Sequence, residues 1–324
     1  MLDTKHILVA VADPGAKSSL AVSRAGEIAA KTGARVTLFH SLYSPYVAGE
    51  QFYSPTDLQR DIESAVNARK AQLERLAKPL AAAGIATHVR CRWDYPIHES
   101  VVREALREDI DLLVLESHRH RAAARLVLSN TDWQLIRLCP CPVLLVKTAR
   151  RYDRPRVLAS VDPMHAHAKP AGLDARLLGM GAGLAEAFRG KLHAAHFYML
   201  APSVVTGFMI EPLPLPVDIA NRYERDVRKA FDQLVARFDL TPRRAHLRAG
   251  LPVEGLPELA AELDASVVVM GAVSRTGLKR LFIGSTAERV IDHIQCDVLV
   301  VKPEGFKTPV PRRAVNRPVV LPPL

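Results

Sequence analysis

Cysteine is scarce in this chain. There are four in 324 residues, Cys91, Cys139, Cys141 and Cys296. Thiols so few and so scattered exclude a disulfide framework, and the reading is a reduced, cytoplasmic protein. Long apolar runs are also missing. None approaches the roughly 18–20 residues of a membrane-crossing helix. The first six residues lead straight into the apolar stretch Ile7–Ala12, without the basic-then-apolar order of a secretory signal. Aromatic residues make up only 6%, and none is interleaved with the basic runs Arg119-His120-Arg121, Arg150-Arg151 and Arg312-Arg313. A stacking platform for single-stranded nucleic acid needs that interleaving. The net charge of +10, from 44 Lys+Arg against 34 Asp+Glu, is dispersed. Nucleic acid is therefore not an expected partner, while anionic small ligands remain open. No Gly-x-Ser-x-Gly elbow and no Gly-Lys-Ser/Thr phosphate loop occurs, so no turnover chemistry is expected. What is present, 48% hydrophobic and 24% charged residues, is the composition of globular cores with solvated surfaces. The length suits two domains.

The chain repeats itself. Residues 112–147 align without a gap with residues 267–302. Leu112-Leu113-Val114-Leu115 meets Val267-Val268-Val269-Met270, and Cys141, Val143, Leu144, Val146 and Lys147 meet Cys296, Val298, Leu299, Val301 and Lys302. The beginnings also match, with Leu8 to Asp13-Pro14 against Val157 to Asp162-Pro163. So long a period means two tandem copies of one domain rather than a solenoid. Domains over 1–150 and 151–303, joined by the polar stretch Thr148–Pro155, are expected, followed by a Pro-rich tail over 304–324 that is extended or disordered.

Within each half, short continuously apolar runs alternate with helical patterns. Strands are predicted near 7–12, 35–40, 86–91, 111–115 and 143–147, and again near 156–161, 191–197, 244–248, 266–271 and 297–302. This pattern predicts an α/β fold of two doubly wound domains, each a five-stranded parallel sheet flanked by helices. The ligand end of such a sheet is the carboxyl end of its strands, at the switch point. Gly33 and Gly84 fall just past helices, where the chain often needs a left-handed residue. The final strand of each half would lie at a sheet edge, and pairing of the two edges predicts an internal pseudo-dimer. A homodimer of the full chain is also open.

After the fourth strand of the second half the chain reads Gly271-Ala272-Val273-Ser274-Arg275-Thr276-Gly277, and it later opens a helix with Gly284-Ser285-Thr286. Glycines that let backbone approach an anion, helix-terminal N–H groups and hydroxyls all suit phosphate. The same residues also suit structure alone: Ser285-x-x-Glu288 is a capping box, and the glycines serve turns. On spacing, both readings stand.

The tandem repeat, the Asp-Pro after strand one and this glycine loop resemble the universal stress protein family. The strongest stretch is Gly284-Ser285-Thr286-Ala287-Glu288-Arg289-Val290-Ile291-Asp292-His293, continuing into Cys296–Pro303. The resemblance implies an adenine-nucleotide-hydrolase-like fold and a role in stress survival. ATP-binding members carry Gly-x2-Gly-x9-Gly-Ser/Thr, and the corresponding residues here are Gly271, Ser274, Gly284 and Ser285, with serine in place of the second glycine. Asp162 matches the family's acidic residue facing the adenosine. The resemblance thus implies ATP as a cofactor of the C-terminal half only, held by Asp162, Gly271, Ser274, Arg275, Gly284, Ser285 and Thr286. In the first half Glu116, Arg119, Ser129 and Asn130 stand at the positions of Gly271, Ser274, Gly284 and Ser285, which spoils a phosphate site, although Asp13 survives. The expected function is a non-catalytic stress-response binding protein. The alternatives are a slow ATP-hydrolysing switch and a carrier of an apolar ligand.

The remaining features read as follows. Cys139-Pro140-Cys141 is either a redox or metal pair or two buried small side chains. His118-x-His120, His165-x-His167 and His193-x-x-His196 lack an evident third ligand, and no metal is expected. The apolar segments Leu42–Pro55 (with Tyr43, Tyr46, Phe52 and Tyr53) and Tyr198–Val217 read as irregular, and they cover either an interface or a ligand pocket.

Overall fold

The computed structural model describes residues 3–44, 55–117, 129–164, 172–199, 203–206, 209–212, 216–272 and 285–314. They fall into two units, one of residues 3–151 with the segment from Phe306, the other of residues 152–305. In the first unit the elements run β1 (His6–Ala10), α1 (Leu20–Thr32), β2 (Arg35–Leu42), α2 (Pro55–Ala82), β3 (Thr87–Trp93), α3 (Ile97–Arg107), β4 (Leu112–Glu116), α4 (Asn130–Leu138) and β5 (Val143–Val146). The sheet order is β3-β2-β1-β4-β5, all parallel. In the second unit β6 (Arg156–Ser160), α5 (Leu173–Ala187) and β7 (Lys191–Tyr198) are followed by β8 (Ser203–Thr206) and β9 (Met209–Pro212). Then come α6 (Val217–Ala236), a 3-10 turn at Pro242–Arg244, β10 (Ala245–Ala249), α7 (Pro252–Glu262), β11 (Val267–Gly271), α8 (Ser285–His293) and β12 (Asp297–Val301). The order β10-β7-β6-β11-β12 repeats that of the first unit. The expected pair of five-stranded parallel sheets is present.

The central strands are apolar because helices cover both faces, whereas the outer strands β3 and β10 carry polar residues and are only partly buried. Ile7, Leu8 and Val9 in β1, Leu113 and Val114 in β4, and Val267, Val268 and Val269 in β11 are wholly buried. Helix α1 illustrates the matching helical pattern. Ala21, Val22, Ala25, Ile28 and Ala29 form its buried stripe, Ser19 caps its start by accepting from the Val22 N–H, and Gly33 ends it at φ 73°. Gly84 likewise adopts φ 77° after α2. In each unit the chain runs outward from the middle strand and then returns to its other side. The switch points therefore lie between β1 and β4 and between β6 and β11.

Two expectations need adjusting. Part of the segment after β7, expected to be irregular, is an antiparallel ladder of β8 on β9, with Val204 opposite Glu211 and Val205 opposite Ile210. The strand-forming residues Val204, Val205 and Ile210 outweigh the prolines around them. The second adjustment concerns the start of the repeat. β1 pairs with β2 as His6 with Arg35, and β6 pairs with β7 as Arg156 with Lys191. The Val11 N–H donates to the Phe39 carbonyl as the Val161 N–H does to the Ala195 carbonyl. Val11 is thus the counterpart of Val161, and Ala12 rather than Asp13 is the counterpart of Asp162. Residues 303–314 of the tail contain neither helix nor strand, although Val310 is buried. No described helix is long and apolar enough to cross a membrane.

Candidate functional site

In the second unit, β6 and β11 are neighbours paired as Val157 with Val267 and Ala159 with Val269. Asp162 and Gly271 therefore leave the sheet side by side at the carboxyl ends of the two strands flanking the switch point. The backbone N–H of Asp162 donates to Oδ1 of Asp174 at 3.0 Å, and Asp174, in the first turn of α5, is buried. The Asp162 Oδ1 atom is itself buried, and among the described residues no donor reaches it. A buried carboxylate oxygen without a donor is costly. Gly271 lies close against α5: a Cβ there would stand 3.0 Å from Cδ2 of Leu173, which would have to give by a few tenths of an ångström. The α8 helix begins at Ser285, where its first N–H groups lack intrahelical acceptors. Ser274, Arg275 and Gly284 lie outside the described residues, as do the side chains of Ser285 and Thr286.

At the end of β7, next to β6, His196 is buried. Its Nδ1 is 3.0 Å from the Val161 carbonyl, and its ring stacks on Phe231 of α6. His40 repeats the bond in the first unit, Nδ1 to the Val11 carbonyl at 2.8 Å. Burial lowers the His40 pKa, Arg69 lowers it further, and the Val11 hydrogen bond and Asp13 oppose them. Both histidines are thus held by the backbone that leads out of the first strand.

The first unit has the same scaffold and a different filling. Oε2 of Glu116, at the position of Gly271, accepts from Ser19 Oγ at 2.7 Å and from the Ala21 N–H at 3.4 Å. Its charge thus lies at the amino end of α1, where a carboxylate complements the helix dipole. Glu116 thus serves a helix of its own unit. Ser129, at the position of Gly284, closes a capping box with Asp132. Ser129 Oγ accepts from the Asp132 N–H, and Asp132 Oδ2 accepts from the Ser129 N–H at 2.9 Å. The amino end of α4 is therefore already occupied by a carboxylate. Asp13, one residue beyond the position of Asp162, accepts from the Gly15 N–H at 2.8 Å. The survival of Asp13 in the sequence is not survival of the site. Arg119 lies outside the described residues.

The other constellations separate. His193 and His196 lie three apart on β7 and do not converge. His193 Nδ1 instead meets His246 Nε2 at 3.0 Å, across to β10. Among the described residues no group of three or more His, Cys, Asp or Glu is placed to hold a metal ion, and His118, His120, His165 and His167 lie outside them. So do Tyr46, Phe52 and Tyr53. Tyr43 is described, with its ring 4.7 Å from Tyr95 and 5.8 Å from Trp93. The side chains of residues 200–215, on which an apolar pocket would depend, lie outside the described residues. Sequence reasoning passed over Ser19, Asp174 and His246, whose partners are distant in the chain or joined to them by backbone contacts with no motif.

Comparison with known proteins gives a consistent picture. The universal stress protein family matches residues 3–147 and 172–302. Universal stress protein E of Photorhabdus laumondii is 29% identical over 312 residues, covering 96% of this chain and 98% of that protein. Universal stress protein E of Escherichia coli K12 is 29% identical over 304 residues, 94% and 96% of the two chains. Among solved structures, a putative universal stress protein from Pseudomonas aeruginosa superposes with a TM-score of 0.71 at 26% identity, over 93% of this chain and 94% of that one. One from Archaeoglobus fulgidus shares the fold, with a TM-score of 0.59 at 16% identity, over 93% and 99%.

Proposed function

The chain belongs to the universal stress protein family, and from that premise we propose that it is a non-catalytic stress-response binding protein whose ligand site lies in the C-terminal half. The ligand is ATP or a similar anionic nucleotide, held between Asp162 at the end of β6 and the stretch from Gly271 through Ser274, Arg275 and Gly284 to Ser285 and Thr286. The observation that carries this reading is the buried Asp162 Oδ1 beside Gly271 at the switch point, which no donor among the described residues reaches. A nucleoside offers amine and hydroxyl donors to such an oxygen. The start of α8 at Ser285 offers N–H groups to phosphate. The first unit supports the reading by contrast, since Glu116, Asp132 and the displaced Asp13 are all satisfied by their own chain.

Calorimetric titration of the full chain with ATP tests it. Binding is expected, weakened about tenfold by Asp162→Ala through loss of a hydrogen bond to a charged group, and unaffected by Asp13→Ala. Absence of binding, or equal weakening by both substitutions, would overturn the assignment.

A further inference from the structure

We propose that Cys139 and Cys141 form an oxidisable dithiol that closes to an intrachain disulfide on exposure to a peroxide. The pair sits in the turn between α4 and β5. Neither thiol is in a disulfide, and their Sγ atoms are in contact at 3.4 Å. Closing from there to a bond of about 2.05 Å shortens the sulfur separation by about 1.4 Å. The turn is held from several directions. The Cys139 N–H donates to the Leu135 carbonyl at 2.9 Å, Pro140 fixes its own φ, and the Pro142 carbonyl accepts from the Leu113 N–H at 2.9 Å. The sulfurs therefore meet because the backbone places them together, and no approach of distant segments has to precede the reaction.

A metal clip is the competing use of such a pair, but it needs further ligands, and among the described residues no group of three or more His, Cys, Asp or Glu is placed to hold a metal ion. Simple core packing asks only for small apolar side chains and does not require two sulfurs at the same turn. The second half, with Ile294 and Cys296 at the corresponding positions, is built without a second thiol.

Cys139 is fully buried and Cys141 is 6% exposed, so a small uncharged oxidant reaches Cys141 first. The Cys141 thiolate attacks hydrogen peroxide: an S–O bond forms, the O–O bond breaks, and the departing hydroxide leaves as water with the thiol's proton. Cys139 then attacks the sulfenic sulfur. The S–S bond forms, the S–O bond breaks, and a second water carries away the Cys139 proton. Two thiols are oxidised and one peroxide is reduced to two waters. A ring closed over a single residue is strained, and strained disulfides are readily reduced again. The dithiol is thus suited to register an oxidising episode and reset afterwards.

The test uses the full chain, folded and reduced, treated with hydrogen peroxide, quenched by alkylation and analysed by mass spectrometry with digestion under non-reducing conditions. The expected result is a mass loss of two hydrogen atoms, a Cys139–Cys141 link, reversal by dithiothreitol, and loss of the link in Cys139→Ser and in Cys141→Ser. The proposal is overturned by a link from either sulfur to Cys91 or Cys296, by sulfinic acid without a link, or by a link that forms only after unfolding in urea.

Discussion

Arg103 illustrates how a single buried charge is held in this fold. It is 1% exposed, and its guanidinium grips Asp94 with two bonds, Nε to Oδ2 at 3.0 Å and Nη2 to Oδ1 at 2.8 Å. Nη1 reaches Glu99, one helical turn earlier, at 2.9 Å. Removing the arginine leaves two largely shielded carboxylates without compensation. Arg103→Met is expected to lower stability by about 3 kcal/mol, and Arg103→Lys to recover little of it, because an ammonium lacks the planar fork. Denaturant midpoints of the three proteins decide it, and equal midpoints would contradict this account. Glu116 is a smaller case of the same kind. Glu116→Ala removes the acceptor at the amino end of α1 and should cost about 1 kcal/mol, the usual value of a helix cap. Neither role was legible in the sequence. Glu116 lies 97 residues from Ser19, and only the folding of β4 beside β1 brings them together.

At the scale of the element, much was legible. The central β-strands of the two parallel sheets announce themselves as short apolar runs, because burial on both faces demands it, while the outer β3 and β10 are more polar and only partly buried; the helices follow from their stripes and from Gly33 and Gly84. The β8–β9 ladder was not legible, since four-residue strands among prolines carry too little periodicity. The His193–His246 contact was not legible either, because it depends on the register of β7 on β10. That contact makes a testable element. Burial, then His246, Arg244, Arg156 and Lys191, push the His193 pKa down to about 4. Burial and Arg248 lower that of His246, with Glu262 opposing. A histidine whose folded pKa lies below its unfolded value of about 6.5 stabilises the fold fully above that value. Between about pH 6.5 and 4 the unfolded chain takes up a proton that the folded chain refuses, so stability falls with pH and levels off below 4. The loss assignable to His193 is about 3 kcal/mol. Imidazole titration by nuclear magnetic resonance, assigned with a His193→Asn variant, should place His193 near 4, and a midpoint near the ordinary value would refute the assignment.

For the molecule as a whole, the two copies share a topology and differ in what fills the switch point. The repeat was legible from sequence identity, but the displacement of Asp13 was not, because an Asp-Pro pair aligns by residue type while the strands align by hydrogen bonds. Counting from Val11 and Val161, Ala12 holds the place of Asp162. The difference has a consequence for stoichiometry. If Glu116 alone closed the first site, Glu116→Gly would open it, and a titration would pass from one nucleotide per chain to two. Three features act together instead. Glu116 satisfies α1, the Ser129–Asp132 box satisfies α4 and places a carboxylate where phosphate would come, and Asp13 is turned to its own Gly15 N–H. Opening one leaves the other two in place. The full chain is therefore expected to bind one equivalent of ATP, and Glu116→Gly is expected to bind one equivalent still. Adding Asp132→Ala and deleting Ala12 would be needed before a second site could form. Equilibrium titration that finds two sites in the unaltered chain, or in the Glu116→Gly variant, would show that the first copy never lost its site and that the displaced Asp13 does not matter.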